Sequence, residues 1–376
     1  MSKIQSQVNL LEHSEAKVKL YGRYLSIYLN VLARSTIKNI YLFDLFCGEG
    51  IYNDGGKGSP IVTLECIKNH YYSNINTCPN LFITFNDSEK SEIETDKMKI
   101  DRVKEFASKI FCPSNVKIGF SKIDYISLIP KVIERIASLK NDERALIFID
   151  PWGYKEIDPE DIKKLMLNGK AKVILFLPIY FMSRFANKSK DVEFKGGKAL
   201  RLFMGNLFGT TENIPHIEGQ KEFIYLVQEQ FKVYMNLKYV DTFKIERDNN
   251  NWFCIFFFTK NKKGFHKMLD AKWSIDKKRG DGFKIGDEVK IELFDEIKIS
   301  GYQEKVLKYL KENPNATNIT LLDFGLENNF LPKNTKSVLD ELKKEYKIVI
   351  NSLDGKPAMS YYIGDEKRLV NIKIIE

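Results

Sequence analysis

The stretch YLFDLFCGEGIYNDGGKGSP, Tyr41 to Pro60, decides how this chain is read. An apolar strand runs into an acid at Asp44, then into Gly48-x-Gly50, then into a second cluster of glycines. Two readings are open: a loop that wraps backbone around a nucleotide-like ligand, or a turn that happens to be rich in glycine. The stretch lacks the Gly-Lys-Ser/Thr of a phosphate loop, which disfavours ATP or GTP hydrolysis, and it lacks the third glycine of a dinucleotide loop.

Working outward, strand and helix signals alternate as far as about residue 180. NIYLFDLF, LFITFND, VKIGFSKID, RALIFIDPWGY and AKVILFLPIY read as strands. Between them SPIVTLECIKNHYY, SEIETDKMKIDRVKEFASKI, IPKVIERIASL and DPEDIKKLMLN read as helices, the second a charged surface helix. That alternation predicts a doubly wound, Rossmann-like α/β sheet with parallel strands. Upstream, Tyr21, Leu25, Tyr28, Leu29 and Leu32 form one helical stripe, predicted to pack on the sheet edge. Residues 184–236 read as a helical insertion. LKYVDTFKIER and NWFCIFFFTKN then read as an antiparallel hairpin at the end of the sheet, with GFHKMLDAKWSI a helix beside them. The domain reading is therefore 1–275, a polar linker 276–299, and 300–376, where three short helices precede two strands around Asp354-Gly355, the order of a winged helix.

Composition narrows the class. With 376 residues, 43 % hydrophobic and 29 % charged, the chain is an ordinary globular one with room for more than one core. No apolar run reaches the ~18 residues of a membrane span, so no membrane partner is expected, and the N-terminus lacks the pattern of a secretory signal. The 5 cysteines are scattered and read as free thiols in a reducing cytoplasm. The 4 histidines are equally far apart, and no Cys/His spacing suggests a metal site. A net charge of +9 favours an anionic partner such as nucleic acid.

The strand ends carry the candidate chemistry, because ligands of doubly wound sheets bind outside the carboxyl ends of the strands. Asp44 suits a cationic or hydrogen-bond-donating ligand better than a pyrophosphate. After the second strand come Asn86 and Asp87; an acid there accepts hydrogen bonds from ribose hydroxyls, or else Asp87 caps the next helix. Asp124 ends the third strand and faces an adenine amino group or is a polar loop residue. The fourth strand ends in Asp150, Pro151, Trp152, Gly153 and Tyr154. A carboxylate, a proline-constrained carbonyl and an aromatic face together suit a planar amine; the alternative is an Asp-Pro turn with a core tryptophan.

These residues resemble a class I S-adenosylmethionine-dependent methyltransferase, and more narrowly the three-Cys-motif partner family. KVKLYGRYLSIYL, FDLFCGEGIY with the following GSP, FIDPWGY and FFFTKNKKGFHKMLDAKW carry the resemblance, which covers residues 15–275. The chain departs from the family pattern at Cys47, Glu49 and Trp152, and has Asn86-Asp87 where the family has glutamate and aspartate. The resemblance implies S-adenosyl-L-methionine as cofactor: Asp44, Phe46, Gly48 and Gly50 around the methionine moiety, Asn86 and Asp87 at the ribose, Asp124 at the adenine. Asp150, with Pro151, Trp152 and Tyr154, would then sit beside the transferred methyl. It also implies a second protein with a three-cysteine motif as partner, in a bacterial defence or mobile-element setting. Asp-Pro-Trp-Gly-Tyr is similar to the motif of adenine amino-methyltransferases, so an exocyclic base amine of a nucleic acid is the expected acceptor. In the C-terminal domain Lys333, Lys336, Lys343 and Lys344 lie on the third helix and are candidate phosphate contacts. The alternative is a non-catalytic adaptor that binds a nucleoside and DNA.

Overall fold

The computed structural model describes residues 8–71, 78–110, 112–188, 197–210, 214–215, 217, 219–248, 251–277, 280, 282–284 and 301–375. They divide into two units. One holds the described residues up to Ala271 together with Gly282–Lys284, and the other holds Lys272 to Gly280 and everything from Gly301 on.

Alternating apolar side chains set the first unit's sheet. Five strands, β1 (Asn39–Asp44), β2 (Asn80–Asn86), β3 (Val116–Ser121), β4 (Glu143–Ile149) and β5 (Ala171–Leu177), are joined by helices and run parallel. β4 and β5 are buried almost throughout, as strands covered on both faces must be. The hairpin β6 (Tyr239–Asp248) and β7 (Asn251–Thr259) completes the sheet in the order β3-β2-β1-β4-β5-β7-β6, with β7 antiparallel to both neighbours. The chain therefore reverses direction between β1 and β4, which opens the switch-point crevice at the carboxyl ends of those two strands.

Three expectations need correction. The apolar stripe of α1 (Glu12–Ala33) packs across the sheet, not on its edge: Tyr21 stacks on Phe148 of β4 at 4.5 Å and Tyr24 meets Phe257 of β7 at 4.9 Å. Aromatic side chains one turn apart give α1 the reach to touch both strands. Within the expected linker, Gly282–Lys284 forms a further edge strand, β8, parallel to β6. The long charged helix shrinks to α3 (Lys99–Ala107), because Ser91 turns the chain by accepting the N–H groups of Ile93 and Glu94. The remaining helices of this unit are α2 (Ser59–Tyr71), α4 (Tyr125–Ala137), α5 (Pro159–Met166), α6 (Ile179–Lys188), α7 (Gly197–Phe208), α8 (Gln220–Met235) and the start of α9 (Lys262–Ile275). The expected helical insertion corresponds to α6, α7 and α8. Among the described residues, no helix is long and apolar enough to cross a membrane.

The second unit has its own core. Helices α10 (Tyr302–Glu312), α11 (Asn318–Glu327) and α12 (Pro332–Lys344) precede an antiparallel pair, β9 (Ile348–Ser352) and β10 (Val370–Ile374). A Thr317 capping box opens α11, and Tyr302, Leu321, Leu339, Ile350 and Ile372 fill the centre. The end of α9 belongs here because Trp273 donates to the Asn329 carbonyl at 2.9 Å and packs on Phe330. β10 lies downstream of the strand expected just after Asp354-Gly355. That segment contains Pro357, which has no N–H for a ladder, whereas Val370 and Ile372 alternate inward. Leu339→Ala, at a site with no exposed surface, should cost about 2–5 kcal/mol. Hydrogen exchange should show the loss of protection confined to the second unit.

Candidate functional site

The site is built from the ends of β1, β2 and β4 and the loop after β1. Leu45 N–H donates to Phe148 O at 3.0 Å and Cys47 N–H to Asn86 O at 3.0 Å, so the loop leaves β1 still stitched to both neighbours. Gly48 (φ 69°) and Gly50 (φ 78°) then take left-handed backbone that other residues adopt only under strain. The second glycine cluster is a small hairpin folded back on the first: Tyr52 N–H donates to Gly56 O at 3.0 Å and Gly58 N–H to Gly50 O at 2.7 Å. Gly56, Gly55 and Gly58 thus shape the loop, while Gly50 packs against α3, where a Cβ would lie 3.1 Å from Val103 Cγ2.

Asp44 is the centre of the site. It is 2 % exposed, its Oδ2 accepts from the Ser59 hydroxyl at 2.6 Å, and among the described residues its buried Oδ1 has no hydrogen-bond partner. Burial raises its pKa to about 7; the Ser59 bond opposes this, and the negative charges of Asp150 and Asp87 add to it. A buried carboxylate oxygen left unpaired is costly, and a cationic donor is the group that would satisfy it.

Asp87 is also buried, and burial raises its pKa. One oxygen accepts from Gly48 N–H at 2.9 Å and the other from Glu89 N–H at 2.9 Å. It caps no helix, since α3 starts only at Lys99; it clamps the glycine loop to the β2 end. Each oxygen keeps a second lone pair for a ligand. Asn86 is differently placed: its amide donates to Leu45 O and Ile123 O and accepts from Ile123 N–H, at 3.2, 3.0 and 3.1 Å. These bonds tie three strand ends together and leave Asn86 no free donor to offer. Asp124 is exposed and is the N-cap of α4, accepting from Ser127 N–H at 2.9 Å, which holds its carboxyl below the usual range. Phe46 stacks on Tyr125 at 5.2 Å.

Beyond β4, Asp150 is ion-paired with Lys17 of α1, and both side chains are largely buried. The ammonium also sits 4.5 Å above the Phe176 ring. Pro151 is buried and Trp152 is 56 % exposed, with Lys99 Nζ 5.7 Å from its ring centre. Tyr154 turns into the core instead: it is 7 % exposed, donates to Pro178 O at 3.0 Å and packs on Phe203. The expected amine-holding group is therefore divided. Asp150 and Trp152 remain at the crevice, and Tyr154 supports it from behind.

Several residues escaped the sequence reading. Lys17 continues the buried stripe of α1 one turn upstream, and a lysine in line with Tyr21 and Tyr24 was its signal. Glu49 is 1 % exposed and accepts from Ser91 Oγ at 2.8 Å, Glu92 N–H at 2.8 Å and Arg102 at 2.5 Å. Arg102 also donates to the Glu49 and Ile51 carbonyls, at 3.3 and 3.2 Å, pinning the glycine loop from α3. Near these acids, Tyr52 has its pKa pushed up by burial and by the charges of Asp150, Glu49 and Asp87. Among the described residues no cluster of ligating side chains could hold a metal ion.

In the second unit, Lys333, Lys343 and Lys344 are exposed on α12, but Lys336 is bonded to Asp340 at 2.6 Å and lies over Tyr361. Glu341 and Glu345 share the exposed surface, so the four lysines do not form one free basic stripe.

No family model matches this chain, and no curated protein does. Among solved structures, it is similar to a DUF574 family protein from Streptomyces avermitilis MA-4680, at 8 % identity over 65 % of this chain and 83 % of that one, with TM-score 0.32. It is also similar to a loganic acid methyltransferase with SAH, at 9 % identity over 61 % and 74 %, with TM-score 0.27. SCL7 of Oryza sativa matches at 11 % identity over 65 % and 83 %, with TM-score 0.26. Similarities this low carry no weight for function, and the site's own geometry has to bear it.

Arg102→Ala would leave Glu49 buried beside the loop without its cation. Urea unfolding should show a loss of about 3–5 kcal/mol. The double replacement Glu49→Gln with Arg102→Met should recover most of it.

Proposed function

We propose that this chain is an S-adenosylmethionine-dependent methyltransferase with a nucleic acid as acceptor. The observation that carries the reading is the unpartnered Oδ1 of Asp44, buried at the switch point beside Gly48 and Gly50. The residues fit the methyl donor. Asp44 would accept from its ammonium, the glycine loop would lie along its methionine chain, and Asp87 would accept from its ribose hydroxyls through lone pairs that Gly48 and Glu89 leave free. Bound there, the cofactor would supply an electrophilic methyl on a sulfonium. Transfer to an amine lone pair needs alignment more than a strong base. Asp150, held by Lys17, would orient the acceptor's N–H, and Trp152 would offer it a face.

The same reading takes the second unit as a winged helix, with Lys333, Lys343 and Lys344 on phosphates and the net charge of +9 favouring a polyanion. A duplex acceptor base would have to be flipped out. One observation favours a second reading, a non-catalytic, DNA-binding adaptor for a three-Cys-motif protein. The pairing of Asp150 with Lys17 and the inward turn of Tyr154 occupy two residues expected to hold the amine.

Calorimetry with S-adenosylmethionine tests the donor site. Asp44→Asn should lower affinity at least about tenfold, or about 1.4 kcal/mol; equal affinity would remove Asp44 from the site. The pKa of about 7 fixes the sign of the pH effect. An ammonium needs the ionised carboxylate, so wild-type affinity should rise as pH climbs toward 7, a rise that Asp44→Asn should lack. Tritium transfer to DNA or RNA, with Asp150→Ala as control, separates the two readings, because donor binding without transfer fits only the adaptor. For the second unit, Lys333→Glu with Lys344→Glu should weaken duplex binding and reduce its salt slope by about 2. An unchanged slope in fluorescence anisotropy would exclude that face.

A further inference from the structure

At the opposite edge of the same sheet, where the parallel strands begin, lies a cavity of about 210 Å³. It is walled by α1, by Arg144 and Lys172 at the starts of β4 and β5, and by Lys263 and Gly264 in the first turn of α9. The volume is below the range of ~300–1,000 Å³ typical of whole small-molecule ligands, so it suits a compact group.

Lys172 is the anomaly. It is only 8 % exposed, and among the described residues its ammonium has no carboxylate and no hydrogen-bond acceptor; its one contact is the Tyr28 ring, 4.9 Å away. Burial lowers its pKa to about 8, with the Arg144 charge adding to the effect, so at neutral pH it still carries a proton. Tyr24, 1 % exposed, lines the same cavity, and among the described residues its hydroxyl has no hydrogen-bond partner. Neighbouring charges do not compensate. Arg144 spends its guanidinium on the carbonyls of Asn141 and Glu143, and Lys263 is exposed, whereas Lys267 alone has an anion, Asp270, at 2.6 Å. Gly264 lets the lysine chain lie close, since a Cβ there would come within 2.6 Å of Lys172 Cε and push it aside. The first turn of the 14-residue α9 lines the cavity as well, capped by Asn261, whose Oδ1 accepts from Gly264 N–H at 2.9 Å; its dipole still adds positive potential there.

We propose that this cavity is a phosphate site, in which a phosphate oxygen pairs with the Lys172 ammonium and accepts from Tyr24, with the first turn of α9 and Arg144 supplying the surrounding positive field. A buried cation, an orphaned hydroxyl and a helix N-terminus, converging with no anion of their own, are the complement of a small oxyanion. The site is independent of the methyl-donor reading, being at the other end of the strands.

The test is thermal unfolding of the full chain at fixed ionic strength, titrated with inorganic phosphate against chloride. Adenosine 5′-monophosphate against adenosine tells a free phosphate from a phosphate monoester. Wild type should gain a Tm rise that grows with the logarithm of phosphate concentration. Lys172→Met, which replaces a buried cation with an apolar chain of similar length, should lose that response. Equal responses in both proteins, or none in wild type, would overturn the site. If Lys172→Met fails to fold, the Gly264 amide signal in wild type serves: it should shift with phosphate and not with chloride, and a shift with neither or with both refutes the proposal.

Discussion

The fold keeps one carboxylate out of water without giving it a full set of partners. Asp44 ends β1 between two fully paired strands, with a single hydroxyl, that of Ser59, for company. Leaving an acceptor buried and unpaired costs about 1–3 kcal/mol, and the charges of Asp150 and Asp87 add to that cost more than the nearby Lys17 relieves it. Such a group persists where the rest of the structure over-determines it. Here the over-determination is visible: Asn86 ties the ends of β1, β2 and β3, Asp87 clamps Gly48, and the buried Glu49–Arg102 pair locks the loop from below.

Charge is distributed unevenly about this centre. Lys17 neutralises Asp150, and Lys99 pairs with Glu89 below Trp152. Asp44 has no such ion pair. The three acids at the switch point are thus not equivalent: one is tied to backbone, one to a lysine, and one is left for something else. That inequality separates the roles proposed for them, with Asp87 clamping the loop and receiving ribose hydroxyls, Asp150 directing an acceptor and Asp44 receiving a cationic ligand.

Much of the sheet could be read from the sequence because its strands are short apolar runs punctuated by acids and glycines, and each run ends where the chain must turn. Asp44, Asp87 and Asp150 were legible as strand-end acids for the same reason. The direction of a side chain after a turn was not legible. Tyr154 and Trp152 are two residues apart in DPWGY, yet one is buried and the other exposed. Long-range pairs were equally hidden, because Arg102 lies in a polar run whose pattern gives no sign of a partner 53 residues away. Lys17 and Lys172 were missed for a related reason: a lysine is read as solvated unless the apolar positions around it are weighed. The extra strand at Gly282–Lys284 is only three residues long, too short for any periodic signal.

The most direct measurement is proton release on adding S-adenosylmethionine at pH 6.5, from calorimetric heats in two buffers of different ionisation enthalpy. If Asp44 is the receiving carboxylate, most molecules hold a proton there beforehand and must lose it, so binding should release a substantial fraction of a proton, and Asp44→Asn should release none. Binding with no proton exchange, or the same release from the variant, would contradict the account.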